Sequence, residues 1–342
     1  MKEKNNFDIV RLILAFTVLL VHSAEVSRKT DLRFLAHFLN SDFAVKGFFA
    51  ISGFLIAKSY MRSQSLRDYA VKRCKRILPA YMFTIIMCLF IGAAVTSLPL
   101  THFIVDSQTL KYMAANFSFM NFIQPSLPGV FTHNPNQPID GSLWTIKAEI
   151  TLYALLPFAL FFMKRKPLTT WFIIYLISCL WFWFFIHVYT GAKADALAKQ
   201  FVGLSGYFFF GTLLSVHQAS FDKLKEIAIV SLIAYFLTKD TQLSLFVEPV
   251  AFSSVVLLFC TSMFKEVPIG KYGDFSYGIY LYHWPIIQLL IHFGVYEANP
   301  LLGVALTIML TLLLAVLSWN LLESRFLKRK STPNITIKPT IV

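Results

Sequence analysis

Long apolar runs, separated by short polar segments, dominate this sequence. Ten of them approach the roughly 20 residues that a helix needs to cross the hydrocarbon core of a bilayer. Inside lipid, only helices and closed β-barrels satisfy their own backbone hydrogen bonds. Barrel strands alternate polar and apolar residues over about ten positions, so these uninterrupted runs predict helices. The runs lie at residues 7–26, 43–60, 77–97, 142–163, 169–189, 201–216, 227–238, 243–264, 273–293 and 300–322.

The composition excludes a soluble protein. Hydrophobic residues make up 56% of the 342 positions and charged residues 14%, whereas a soluble domain carries about 25% charge. The same numbers exclude a disordered chain, a collagen and a coiled coil. The fold class predicted is all-α, a polytopic membrane helix bundle of about ten transmembrane helices. We expect one membrane domain over residues 1–325 and a basic, disordered tail over 326–342.

Basic residues predict the orientation of the bundle. If the N-terminus is cytoplasmic, the inner segments hold 21 Lys and Arg residues and the outer segments hold 7. Cytoplasmic loops carry such an excess in membrane proteins, so both termini are expected in the cytoplasm. The net charge of +13 is then explained by topology, and no nucleic acid partner is expected.

Asp8, Arg11 and His22 lie inside the first run, and Glu25 lies at its outer end. Each costs about 2.5–3.5 kcal/mol to insert into a membrane, so each needs a partner, a cavity or a function. Asp8 and Arg11 are three residues apart and could pair on one helix face. Arg11 and His22 are eleven residues apart, which is almost three turns, so they share a face about 16 Å apart along the axis. The alternatives are an interfacial ion pair for Asp8 with Arg11 and a packing role for His22.

Two arginines stand one helical turn apart before Pro79, where we expect the helix to stop or kink. The guanidinium groups of Arg73 and Arg76 suit a polyphosphate at the cytoplasmic surface. Ordinary positive-inside charge in contact with lipid headgroups is the alternative explanation.

Two further polar residues lie inside predicted spans. Glu149 is about two turns into its run and should meet a cation or a substrate hydroxyl. His283 lies in the middle of its run beside Trp284. It could have a functional role, and the alternative is a structural hydrogen-bond donor. The spacing of His and Cys residues predicts no metal site. In the outer loop, His133 and Asp140 are weaker candidates for contact with an acceptor.

Five segments together give the chain a recognisable pattern. The segments are Arg11 with His22, GFFAISGFLI at 47–56, RCKRILPAY at 73–81, SLWTIKAE at 142–149 and FSYGIYLYHWPI at 275–286. With these segments in the family's order, the chain resembles, from residue 7 to about 325, the acyltransferase-3 family of bacterial integral-membrane O-acyltransferases.

The resemblance implies an O-acetyltransferase of the bacterial inner membrane, with acetyl-CoA as donor. The acceptor would be a hydroxyl of an envelope carbohydrate such as O-antigen or capsule. The fused periplasmic domain of some members is not expected here, which leaves open a separate periplasmic partner; membrane lipids are the other expected contact. The implied site has catalytic residues His22, Arg11 and Glu149, donor-binding residues Arg73, Arg76 and Arg11, and supporting residues Asp8, Ser52, Trp144, Tyr277 and His283.

Acyl transfer to a hydroxyl needs a base and a group that stabilises the oxyanion. Histidine is the side chain suited to gain and lose a proton near neutral pH. No Ser–His or Cys–His motif is apparent, so we expect direct attack by the hydroxyl, with His22 as base. The competing class is a transporter or flippase for a sugar or anion, which accounts for intramembrane charges but not for Arg73 and Arg76. An acyltransferase of the lipid- or protein-modifying type is a second enzyme alternative.

Overall fold

The computed structural model describes residues 6–327 as a bundle of helices. About 80% of it is helical, and residues 6–327 contain no strand. Ten long helices follow the ten apolar runs. They are α1 Phe7–Ser27, α2 Ser41–Met61, α3 Leu66–Val95, α4 Trp144–Met163, α5 Pro167–His187, α6 Phe201–Val216, α7 Leu224–Thr238, α8 Ser244–Leu258, α9 Ser276–His292 and α10 Pro300–Ser318.

Seven of these helices are long and apolar enough to cross a membrane, α8 together with the π-helical turn Phe259–Met263 that continues it. The other three, α6, α7 and α9, contain 16, 15 and 17 residues. The outward surfaces are apolar; α5, for example, exposes Phe172, Ile173 and Ile177. The predicted all-α polytopic membrane fold is therefore confirmed.

Successive helices run back and forth across the bundle, which gives it two ends. We call the end at which α1 begins the near end and the opposite end the far end. At the near end, Arg76 of α3 contacts the start of α9. At the far end, Lys29 after α1 pairs with Glu297 before α10. Helix α1 packs against both α2 and α9, and these contacts position the site.

The helix does not stop at Pro79, so that part of the prediction is wrong. Helix α3 begins at Leu66 and continues through Pro79 to Val95, a length of 30 residues. Proline removes one backbone donor and crowds the preceding turn, but neighbouring helices make this tolerable within a bundle. The apolar run that starts at residue 77 is thus the second part of a longer helix whose first part is polar.

The long far-end loop is partly helical and covers the outer end of α9. It contains the short helices Leu100–Val105 and Ser107–Phe117 and, apart from the 3-10 turn Asn121–Ile123, is irregular from there to α4. The buried Gln288 side chain anchors it by donating to the carbonyls of Asn136 (2.8 Å) and Pro138 (2.7 Å). Most of the predicted tail, residues 328–342, lies outside the described residues, so its disorder stays a prediction.

Candidate active site

Arg11 and His22 of α1 face the same neighbouring helix. The Arg11 guanidinium pairs with Asp274, two residues before α9. Three turns further along, Nδ1 of His22 lies 2.8 Å from Nε2 of His283 in α9. One face of α1 therefore presents a cation low in the bundle and an imidazole higher up, both toward α9.

Asp274 forms ion pairs with two arginines at the near end, Arg11 and Arg76. Besides Arg11, its carboxylate accepts from Arg76 (2.5 Å) and from the Ser276 hydroxyl (2.6 Å). Arg76 also reaches Glu323 at 3.4 Å. Asp274 was missed by sequence reasoning, although an acidic residue at the near end of the ninth run was an available counter-charge for Arg11.

Asp8 and Arg11, which could have paired on one helix face, form no ion pair within residues 6–327. Within residues 6–327, Arg11 has its ion pair with Asp274. The Asp8 carboxylate packs so closely against Gly270 that a Cβ there would lie 1.8 Å from Oδ2. A short sequence spacing allows a pair on one helix, but a better-placed partner on another segment takes the guanidinium.

A large cavity of about 790 Å³ opens at the near end beside Arg11, Arg73 and Glu149. Its volume falls within the 300–1,000 Å³ of small-molecule sites. Its ionisable lining is unbalanced, with Asp68 and Glu149 as the acids. The basic residues are Arg11, Arg62, Lys72, Arg73, Lys75, Arg76 and Arg325.

The two arginines of α3 are not equivalent. Arg76 is held by Asp274 and Glu323, which neutralise it. Arg73 donates to the Ser59 hydroxyl at 3.1 Å, and its Nε is buried with no hydrogen-bond partner in the described residues. Because a buried unpaired donor is costly, Arg73 is the one better prepared to hold an anionic ligand.

A second cavity of about 50 Å³ adjoins the first one deeper in the bundle. The two share Arg11, Ser52, Glu149 and Tyr277 as lining residues. Glu149 accepts from the Tyr153 hydroxyl and from Ser52 Oγ at 3.3 Å. It meets protein hydroxyls here and makes no ion pair within residues 6–327.

The small cavity ends at Tyr280, and the histidine pair lies behind that ring. The Tyr280 and His283 rings are 5.9 Å apart. Trp284 packs edge-on against His22 with centroids 5.0 Å apart. Neither His22 nor Trp144 lines either of these two cavities; Trp144 is the first residue of α4 and packs against the apolar core.

The hydrogen bonds of the pair determine which nitrogens carry protons. His283 Nδ1 lies 3.2 Å from the Ile279 carbonyl, which can only accept, so Nδ1 is the protonated nitrogen of a neutral His283. Nε2 of His283 then accepts from Nδ1–H of His22. This leaves the lone pair on Nε2 of His22, the atom that a general base needs.

Similarity to known proteins identifies the family. The sequence model of one protein family, described as an acyltransferase domain, matches residues 4–320 of this chain. The chain belongs to the acyltransferase-3 family. A relative named O-acetyl transferase, from Shigella phage Sf6, is 29% identical and covers 98% of this chain and all of its own length.

Two other relatives in this family are more distant. Nodulation protein 10 of Rhizobium leguminosarum bv. viciae is 26% identical over 96% of this chain and 95% of its own length. O-acetyltransferase OatA of Staphylococcus aureus is 26% identical over 86% of this chain, but only 54% of OatA is matched. No solved structure matches the chain. The protein is accordingly a multi-pass membrane O-acetyltransferase of this family, which confirms the enzyme prediction over the transporter.

Proposed function

We propose that this acetyltransferase takes its acetyl group from acetyl-CoA on the cytoplasmic side. The acceptor would be a hydroxyl of an envelope carbohydrate outside the bacterial inner membrane. One observation carries the proposal: the path of two adjoining cavities. It starts at a basic mouth at the near end, passes Arg11 and Glu149, and stops at Tyr280, whose ring contacts His283.

The mouth fits the diphosphate and ribose phosphate of CoA. Seven basic residues line the large cavity against two acidic ones, and Arg73 has an unpaired buried Nε. Guanidinium groups bind phosphate through planar, paired hydrogen bonds. The positive-inside distribution of Lys and Arg supports a cytoplasmic near end, where CoA would be available.

The depth of the path fits the pantetheine arm. Arg11 lines both cavities, and His22 is about 16 Å further along the same helix. The thioester would therefore stop in the small cavity, next to the Tyr280 ring. A movement of that ring is required to bring the thioester and His22 together.

The histidine pair supplies the base for the transfer. His22 Nε2 takes the proton of the acceptor hydroxyl, while the hydroxyl oxygen forms a bond to the carbonyl carbon of the thioester. The carbon–sulfur bond breaks, and the proton passes to the sulfur as free CoA leaves. His283 acts as a positioning residue, since its Nε2 holds the Nδ1–H of His22 and stabilises the imidazolium that forms.

The acceptor approaches from the far end in this scheme. An imidazole near the far half of α1 is placed for a substrate that is outside the cytoplasm. The relatives named as O-acetyltransferases support a hydroxyl as the accepting group. The carbohydrate could be O-antigen, capsule or another glycan, presented with or without a periplasmic partner protein.

The donor can be tested with purified protein in lipid nanodiscs and labelled acetyl-CoA. We expect Arg73→Gln to raise the KM for acetyl-CoA about tenfold or more, with a smaller change in kcat, because a phosphate contact is lost. Arg165→Gln is the matched control, since Arg165 lies after α4, contacts Phe161 and lines neither cavity. An unchanged KM in Arg73→Gln, or no binding of acetyl-CoA by the wild type, would contradict the donor proposal.

The acceptor can be tested in cells. Mass spectrometry of the envelope glycans from a deletion strain should show one sugar without its acetyl group, restored by the wild-type gene. An unchanged acetylation pattern of every envelope glycan would contradict a carbohydrate acceptor.

A further inference from the structure

The small cavity between Arg11 and Tyr280 has the size and shape of an acyl-binding chamber. Its volume is about 50 Å³, which is room for roughly three to five water-sized groups at 10–15 Å³ each. At its near side, Ser52, Glu149 and Tyr277 join it to the large cavity. We call this space the acyl chamber.

Apolar side chains close the acyl chamber on its far side. Val45 and Phe48 of α2 are three residues apart and share one helix face, and Ile146 of α4 lies opposite. The Phe48 and Tyr280 rings meet edge to face with centroids 5.9 Å apart. The polar side of the chamber therefore faces the mouth, and the apolar side faces away from it.

Hydrogen bonds hold Tyr280 in this wall while the donor binds, before the ring movement that the transfer requires. Its hydroxyl is 2.8 Å from Thr145 Oγ1 and donates to the Ser142 carbonyl at 3.3 Å. Both partners belong to the start of α4 or the residues just before it, so the ring is held between two helices in this closed state. Phe48 has no polar side-chain atom, and its ring completes the closure together with Val45 and Ile146.

We propose that Phe48 and Tyr280 set the length of the acyl group that this enzyme transfers, and that they restrict it to acetyl. The inference rests on the proposed function, in which the thioester arrives from the near end. An acetyl group has three heavy atoms and fits the acyl chamber with room to spare, whereas butyryl has five and would need the whole of it. A succinyl group is longer still, and its distal carboxylate would lie against the apolar far side of the chamber.

The expected discrimination is large. One extra methylene in a fitted apolar pocket changes kcat/KM by about 10–200-fold. The wild type should therefore prefer acetyl-CoA over propionyl-CoA by at least tenfold, and butyryl-CoA should be poorer again. Removing the Phe48 ring opens the chamber toward Tyr280 and should relax this preference.

The test measures kcat/KM for acetyl-, propionyl- and butyryl-CoA with wild type and Phe48→Ala in nanodiscs. We expect the butyryl-to-acetyl ratio to rise tenfold or more in the variant. Phe83→Ala is the matched control, because Phe83 packs edge-on against Tyr282 at 5.7 Å and lines neither cavity. Its ratio should stay at the wild-type value.

Three results separate the outcomes. An unchanged ratio in Phe48→Ala, or equal use of acetyl and butyryl by the wild type, would overturn the role of the acyl chamber. If Phe48→Ala does not fold, Phe48→Leu should raise the propionyl-to-acetyl ratio, and Val45→Phe should lower activity with acetyl-CoA. A wild type that transfers nothing from acetyl-CoA contradicts the proposed donor instead, and this failure is seen before any variant is made.

Discussion

Two ion-pair clusters lie inside the bundle, and they differ in what surrounds them. The first, Arg11 and Arg76 with Asp274, borders the large cavity. The second joins Lys46 to Glu248, with both residues less than 10% exposed. We call them the cavity cluster and the closed cluster.

The closed cluster is fully enclosed by protein groups. The Tyr207 hydroxyl donates to Glu248 at 2.7 Å, and the Lys46 ammonium lies about 5.5 Å from the rings of Phe43, Phe182 and Tyr207. The cavity beside Glu248 is only about 10 Å³, about the space of one water. We therefore expect a buried ion pair beside a ligand-sized cavity to take part in the binding site, and a buried ion pair without such a cavity to have a structural role.

The largest effect should come from the base at the end of the cavity path. His22→Ala removes the group that we propose accepts the hydroxyl proton, so kcat should fall by about 10²–10⁴-fold at equal expression. His187→Ala is the control, because His187 ends α5 and packs only against Trp183 among aromatic rings in the described residues. Full acetyl transfer by His22→Ala would remove this residue from the chemistry.

The next prediction separates the two clusters directly. Replacing both members of a buried pair by apolar residues is often neutral for stability. Arg11→Met with Asp274→Leu leaves Arg76 paired with Glu323, so this double variant should fold but lose about 10²-fold of its activity, since small misplacements of reacting groups have effects of this size. Lys46→Met with Glu248→Leu should fold and keep activity within about threefold.

Acetyl transfer and thermal unfolding, measured on both double variants, check this prediction. If the two doubles lose the same activity at equal stability, the distinction between the clusters is wrong.

The sequence alone predicted the fold and the face of α1 that carries Arg11 and His22. The apolar runs define ten helices because the bilayer leaves few alternatives for a buried backbone. The eleven-residue spacing placed Arg11 and His22 on one face because helical periodicity is local. Asp274 could not be assigned in this way, because it is 263 residues from Arg11 and only helix packing brings the two together.

The same limit explains the unequal arginines. Arg73 and Arg76 are the same residue type one turn apart on one helix, so the sequence does not distinguish them. Glu323, which lies 247 residues beyond Arg76, helps to neutralise Arg76. The contact of His22 with His283 depends likewise on how α1 and α9 pack. Sequence reasoning supplied the residue types, and tertiary packing decided their partners.

A third prediction concerns the stability provided by the closed cluster. Glu248→Ala leaves the Lys46 ammonium buried without its carboxylate, which should lower the free energy of unfolding by about 3–5 kcal/mol. Denaturation in detergent measures this loss, and the Lys46→Met and Glu248→Leu double variant should recover most of it. A loss equally large in the double variant would show that packing, and not the unpaired charge, is responsible.

The smallest effect should come from Asp140, a buried carboxyl that belongs to neither ion-pair cluster. Its Oδ1 accepts from the backbone N–H (2.8 Å) and hydroxyl (2.7 Å) of Ser142, and its Oδ2 is buried with no partner in residues 6–327. Burial raises the pKa of Asp140 from 3.8 to about 7. The folded state then holds this proton more tightly than the unfolded chain, so the free energy of unfolding should fall as pH rises from about 4 to about 7 and stay level above that.

Asp140→Asn should remove this decline, and Asp106→Asn, which alters another loop carboxyl bonded to a backbone N–H, should keep it. Thermal unfolding in detergent from pH 5 to pH 8 measures the difference, and a gap between Asp140→Asn and wild type that is independent of pH would contradict a buried, proton-binding carboxyl.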